Sequence, residues 1–204
     1  MTDRPLNIVH VFRSPVGGLF RHVLDLAGAQ AARGHRVGLI ADSLTGGERA
    51  TQALAAIAPR LSLGLIRIPM PRQPGPKDVK ALIAVSRFLR ATDADVAHGH
   101  GAKGGLYARL ARTGKPMVRA ITPHGGSLHF SRDSAGGWLV LTTERLLMPF
   151  GDLYLFESRY ARDLFDAKIG TPRGLVRVVH NGVTQAEFEP VPAAPDATDL
   201  LYLG

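Results

Sequence analysis

Cysteine is absent from the 204-residue chain, which excludes disulfide bridges and thiolate metal sites and fits a reducing compartment. Aromatic residues are scarce, at 6%. Neither a known nucleic-acid-binding module nor basic residues interleaved with aromatics can be found, so no nucleic-acid partner is expected. No apolar run approaches the ~20 residues that a membrane span needs. The opening Met1-Thr2-Asp3-Arg4-Pro5-Leu6 lacks the apolar stretch of a signal peptide and leads straight into a core-like strand. Also missing are G-x-G-x-x-G and G-x-x-x-x-G-K-[ST], which argues against an ordinary dinucleotide site or an ATPase loop. Together these absences predict a soluble, cytoplasmic protein.

What is present is a 45% hydrophobic chain of net charge +8. That length and apolar content can fill one full core, and the positive charge raises the local concentration of anionic partners. Apolar runs alternate with stretches of helical period from end to end, the α/β signature. Strands are predicted at Asn7 to Phe12, Arg36 to Ala41, Leu63 to Ile68, Asp95 to His98, Met117 to Thr122, Leu153 to Phe156 and Val176 to His180. Helices are predicted around Leu19 to Ala27, Gln52 to Ile57, Val79 to Leu89, Gly104 to Ala111, Trp138 to Met148 and Arg159 to Ala167. Most strands lack in/out alternation, as in a parallel sheet covered on both faces. The fold class is therefore α/β, a doubly wound, mostly parallel sheet of about seven strands, with ligands expected at the strands' carboxyl ends. Residues 1–188 form the expected domain and the proline-rich 189–198 a linker. "DLLYLG" at 199–204 then opens a further strand, either the first of a second domain or an edge strand of the same sheet.

Several strand ends carry residues with chemistry. Gly17 and Gly18 open the first helix, where bare N–H groups and the positive end of the helix dipole suit an anion, although a tight turn alone also calls for glycine. "DVAHGHGAKGG" (95–105) places His98 and His100 at a strand end, with Lys103 at the following helix start. With His124 of "TPHGG", His98 and His100 could chelate a metal, although no carboxylate cluster completes the set. His124 itself is the best single candidate, a strand-end imidazole able to hydrogen-bond a sugar hydroxyl or take its proton. Ser158 reads as a helix N-cap, and Asn181-Gly182 as a turn.

In order, the glycine pair, "GHRV", "DVAHGHG", "TPHGG", "LFESRYARDLF", "VVHNGVTQAEFEP" and "LLYLG" resemble the amino-terminal half of glycosyltransferase family 4 over essentially the whole chain. The most specific element is the Asn-Gly-Val turn followed by Phe188 and Pro190. The resemblance implies a GT-B enzyme of two Rossmann-like domains, transferring a sugar from a nucleotide-diphosphate sugar with retention and without a required metal or other cofactor. It implies a donor-side set of Gly17, Gly18, Ser158 and Asn181, an acceptor-side set of Arg21, His100 and Lys103, and His124 beside the transferred sugar. Asn181-Gly182 would lie at the interdomain hinge. The basic residues and paired glutamates that hold the donor would belong to a second domain, so this chain alone is expected to be inert. Arg21, Lys103, Arg109, Arg112, Lys115 and Arg119 would form an electropositive face for a glycan or anionic lipid-linked acceptor, with peripheral association at the inner membrane face. A metal-dependent hydrolase using His98, His100 and His124, and a non-catalytic Rossmann-like ligand-binding module, are the alternatives.

Overall fold

The computed structural model describes residues 4–190, 192–194 and 197–198. Seven strands, β1 (Asn7–Phe12), β2 (Arg36–Asp42), β3 (Gly64–Ile68), β4 (Val96–His100), β5 (Val118–Thr122), β6 (Leu153–Phe156) and β7 (Leu175–Val178), form one sheet in the order β3-β2-β1-β4-β5-β6-β7. Every pairing is parallel, as the doubly wound reading requires. The strand order reverses between β1 and β4, the switch point at which such sheets open a crevice. The expected strand at 199–204 lies outside the described residues.

Six helices cover the sheet: α1 (Gly17–Ala32), α2 (Gly47–Ile57), α3 (Lys77–Ala91), α4 (Gly101–Leu110), α5 (Ala135–Leu147) and α6 (Arg159–Lys168). Short 3-10 turns follow at Gly126–His129 and Gln185–Phe188. Side chains alternate faces along each strand, so the core divides in two. Val9, Val11 and Ala97 join α3, α4 and α5 residues such as Val85, Tyr107 and Leu141 on one face. Phe12, Leu39 and Ala41 pack with Phe20, Val23 and Leu54 of α1 and α2 on the other.

The central helix α4 sits unusually close to the sheet. A methyl group at Gly104 would lie 2.1 Å from the Val11 carbonyl oxygen, and one at Gly99 would lie 2.5 Å from the Gly104 carbonyl oxygen. Only glycine permits that approach.

Most boundaries differ from expectation by a residue or more; α1, for instance, runs on to Ala32 rather than Ala27, and α5 starts at Ala135 rather than Trp138. α2 starts at Gly47 rather than Gln52, because its polar first turn carries no apolar period. α4 starts at Gly101 rather than Gly104, with β4 running on to His100. β7 stops at Val178 instead of His180. The Val179 N–H still reaches the Phe156 carbonyl, where β6 ends, and His180 turns its ring to the Glu157 carbonyl.

Candidate functional site

The site lies at the carboxyl edge of β1, β4 and β5, where α1 and α4 begin. Neither helix has a side-chain N-cap bond or an acidic residue in its first turn. The other four differ: α2 and α3 carry Glu48 and Asp78 in the first turn, and α5 and α6 are capped by Ser134 and Ser158. The two helices that start beside the switch point therefore keep their N–H groups for another partner. Gly17 has φ of +65°, and a side chain there would meet nothing within 4 Å, so glycine serves backbone shape and leaves the space open.

Ser158 accepts from the Ala161 N–H at 3.0 Å, the capping role read from sequence. Replacing it with alanine should cost about 1 kcal/mol in a urea melt. A loss of donor affinity at unchanged stability would instead assign it to the ligand.

A row of histidines fills the space between sheet and α1. His10 and His98 are lateral neighbours in the β1–β4 register, and Phe12 pairs with His100, so the β1 and β4 histidines share one face. His10 Nε2 lies 2.8 Å from Gln30 Oε1. His10 Nδ1 lies 2.9 Å from His100 Nε2, and His100 Nδ1 lies 3.0 Å from His124 Nε2. His98 Nε2 meets the Thr122 hydroxyl at 2.8 Å. His22 of α1 packs edge-on against His124, ring centres 5.1 Å apart.

Burial pushes His10 and His124 down to about 4. Burial, with repulsion among the rings, drives His98 and His100 well below the ordinary histidine value. His22 is lowered by burial too, against the pull of Glu157 and Asp25. The cluster is neutral at pH 7.

His124 adopts φ of +50°, a left-handed conformation that costs a β-carbon residue energy and occurs mostly where surroundings impose it. With His100 and Lys103 it lines a cavity of about 390 Å³ whose wall also includes Arg13, Arg72, Leu106, Phe130 and Leu139. Gly17, Gly18 and Arg21 line a neighbouring depression of about 480 Å³ with Arg49. Ser158 and Asn181 line neither. Sequence reasoning missed His10, His22 and Gln30. The one available signal, for His10, was a histidine flanked by apolar residues in "IVHVF".

The electropositive face does not assemble from the six residues expected. α4 runs antiparallel to the strands, so Arg109 and Arg112 fall toward the far end of the sheet. Arg109 is 2% exposed and bonded to Glu144 at 2.7 Å. Lys115 pairs with Asp93 and Asp95, before β4 begins, and Arg119 lies near the start of β5. Near the carboxyl edge, Lys103 is held by Asp78 at 2.6 Å, and Arg21 by Glu187 and Asp25.

Two triads, His10–His98–His100 and His22–His100–His124, bring one nitrogen of each residue within 4.8 Å of the others, a spacing suited to a tri-histidine metal site. Both pass through His100, whose two nitrogens already engage His10 and His124. The trio expected from sequence, His98 with His100 and His124, is not among these groupings of the described residues.

Residues 16–187 match the family model for Glycosyltransferase Family 4. Among solved structures, a glycosyltransferase from Rickettsia africae ESF-5 superposes with a TM-score of 0.68 at 13% identity, covering 94% of this chain and 47% of that one. Sucrose-phosphate synthase from Thermosynechococcus elongatus gives 0.64 at 16% identity, over 91% and 50%. Anabaena HepE in complex with UDP and glucose gives 0.60 at 16% identity, over 87% and 45%. The chain thus spans about half the length of these structures, which share its fold. No protein of curated function matches the sequence. The family match extends from the start of α1 to the last 3-10 turn and takes in the cavity-lining histidines; the chain belongs to glycosyltransferase family 4.

Proposed function

We propose that this chain is the acceptor-side domain of a retaining glycosyltransferase that moves a hexose from a nucleoside-diphosphate sugar to a glycan or lipid-linked glycan without a required metal, and that it is inert alone. The observation that carries the reading is the meeting, at one sheet edge, of two uncapped helix starts with the cavity that His124 lines. The bare N–H groups at Gly17 and Gly18 suit the donor's diphosphate, where preorganised donors lower the barrier to its departure. The fold neighbour solved in complex with UDP and glucose supports that choice of donor.

The cavity is amphiphilic. Arg13, Arg72 and Lys103 suit an anionic group of the acceptor, and Leu106, Phe130 and Leu139 suit an apolar one. α5 extends the apolar wall outward, with Trp138, Leu139 and Leu146 more than half exposed, and such a face supports peripheral membrane association. No helix of the described residues is long and apolar enough to cross a membrane.

His124→Ala should lower kcat/KM of the intact enzyme about 100-fold, measured with a UDP-hexose and a lipid-linked acceptor, and leave vesicle binding unchanged. An effect under threefold removes His124 from the chemistry. Turnover by the purified 204-residue chain would overturn its inertness.

A further inference from the structure

We propose that Gln30, acting through His10 and His100, holds the proton of His124 on Nε2 and so keeps His124 Nδ1 as a standing hydrogen-bond acceptor for a substrate hydroxyl. The inference rests on the reading of His124 as a substrate-facing group and concerns residues far behind it.

The amide of Gln30 sets the polarity of the row. Gln30 Oε1 can only accept, so His10 Nε2, 2.8 Å away, carries a hydrogen. A neutral imidazole has one N–H, which leaves His10 Nδ1 bare. That nitrogen lies 2.9 Å from His100 Nε2, which must therefore donate. His100 Nδ1 is then bare in turn, and at 3.0 Å it accepts from His124 Nε2. His124, neutral like the others, is left with an unprotonated Nδ1 that has no hydrogen-bond partner among the described residues. The ring borders the cavity.

One amide oxygen thus decides three tautomers. Burial keeps His10 and His100 neutral, so each ring carries one N–H. Charged groups in reach of the row, Arg13 and Lys103 beside the cavity and Asp25 and Glu157 near His22, bond to none of the three ring nitrogen pairs. Gln30 and the two buried histidines are positioning residues; only His124 is assigned to substrate. An imidazole whose acceptor nitrogen is fixed in advance spends nothing on choosing a tautomer when the hydroxyl arrives.

The test is nitrogen NMR of the intact protein at pH 7 with labelled histidine, in which protonated and bare ring nitrogens are separated by their shifts. His124 should show Nε2 protonated and Nδ1 bare. In Gln30→Leu the row loses its terminal acceptor, and His124 should populate both tautomers. Gln30→Glu restores an oxygen acceptor and should restore the single pattern. An Nδ1–H on His124 in the native protein, the result of the opposite chain polarity, overturns the proposal even if neither variant folds; so does an unmoved pattern in folded Gln30→Leu. In turnover, Gln30→Leu should lower kcat about tenfold with donor KM unchanged, a part of the roughly hundredfold attributed to the imidazole, and Gln30→Glu should recover most of it. The tautomer measurement needs no substrate, so a failure of the relay and a failure of the glycosyl-transfer reading are separately visible.

Discussion

Replacing Glu144 with alanine should lower the unfolding free energy by about 3–5 kcal/mol, because it strands a guanidinium in the core. Arg109 is 2% exposed and Glu144 6%. The guanidinium reaches Glu144 at 2.7 Å and its own helix at the Gly105 carbonyl, 2.9 Å away. The pair ties α4 to α5, and Glu144 forms part of the cavity's lining. Two charges in one interior gain little over an apolar pair of the same volume, whereas one charge left alone pays the full cost of lost hydration. Arg109→Met with Glu144→Leu should therefore recover most of the loss. At this chain length the single variant should melt about 10 °C lower. A change below about 1 kcal/mol in Glu144→Ala would mean that water reaches Arg109 in solution.

Acidification from pH 6.5 to 4 should destabilise the fold steeply, by about 3 kcal/mol through His10 alone. Its native value, about 4, lies below the ordinary 6.5. Above pH 6.5 neither the folded nor the unfolded chain protonates this ring, and its full contribution is present. Between the two values the unfolded chain takes up a proton that the native one refuses, so stability falls as the pH falls. Below about 4 both are protonated and the loss levels off. His98, His100, His124 and His22 shift in the same direction and steepen the same window. Urea midpoints taken at intervals across that range measure the slope, and His10→Asn should flatten it. Stability that does not change with pH in that window would show that the row takes up protons without unfolding.

The fold was legible because parallel strands buried on both faces leave long apolar runs, and β1 and β6 run as their runs predicted. Helix starts were less so. The first turn of α2, Gly-Glu-Arg, is polar and belongs to the helix only through backbone bonds such as Ala50 N–H to the Gly46 carbonyl. At the site, His98, His100 and His124 announced themselves by standing at strand ends. His10 did not, since its partner is set by the β1–β4 register and not by local sequence. Gln30 stands 20 residues from His10 and joins it only after α1 folds back onto the sheet. Arg109 looked like surface charge because nothing near it in sequence marks Glu144 as its partner. Charge counted along a chain says little about charge on a face.

The bare helix starts of α1 and α4 offer an anion only backbone amides. Backbone amides do not titrate in the range where enzymes work, so an anion seated on them is held with the same strength at pH 5 as at pH 8. The neighbouring histidine row stays neutral across that span and takes up protons only as the pH falls toward 4. A ligand bridging the two should therefore show an affinity made of two layers, one indifferent to acid and one erased by it, and trimming the ligand back to its phosphates should leave only the first.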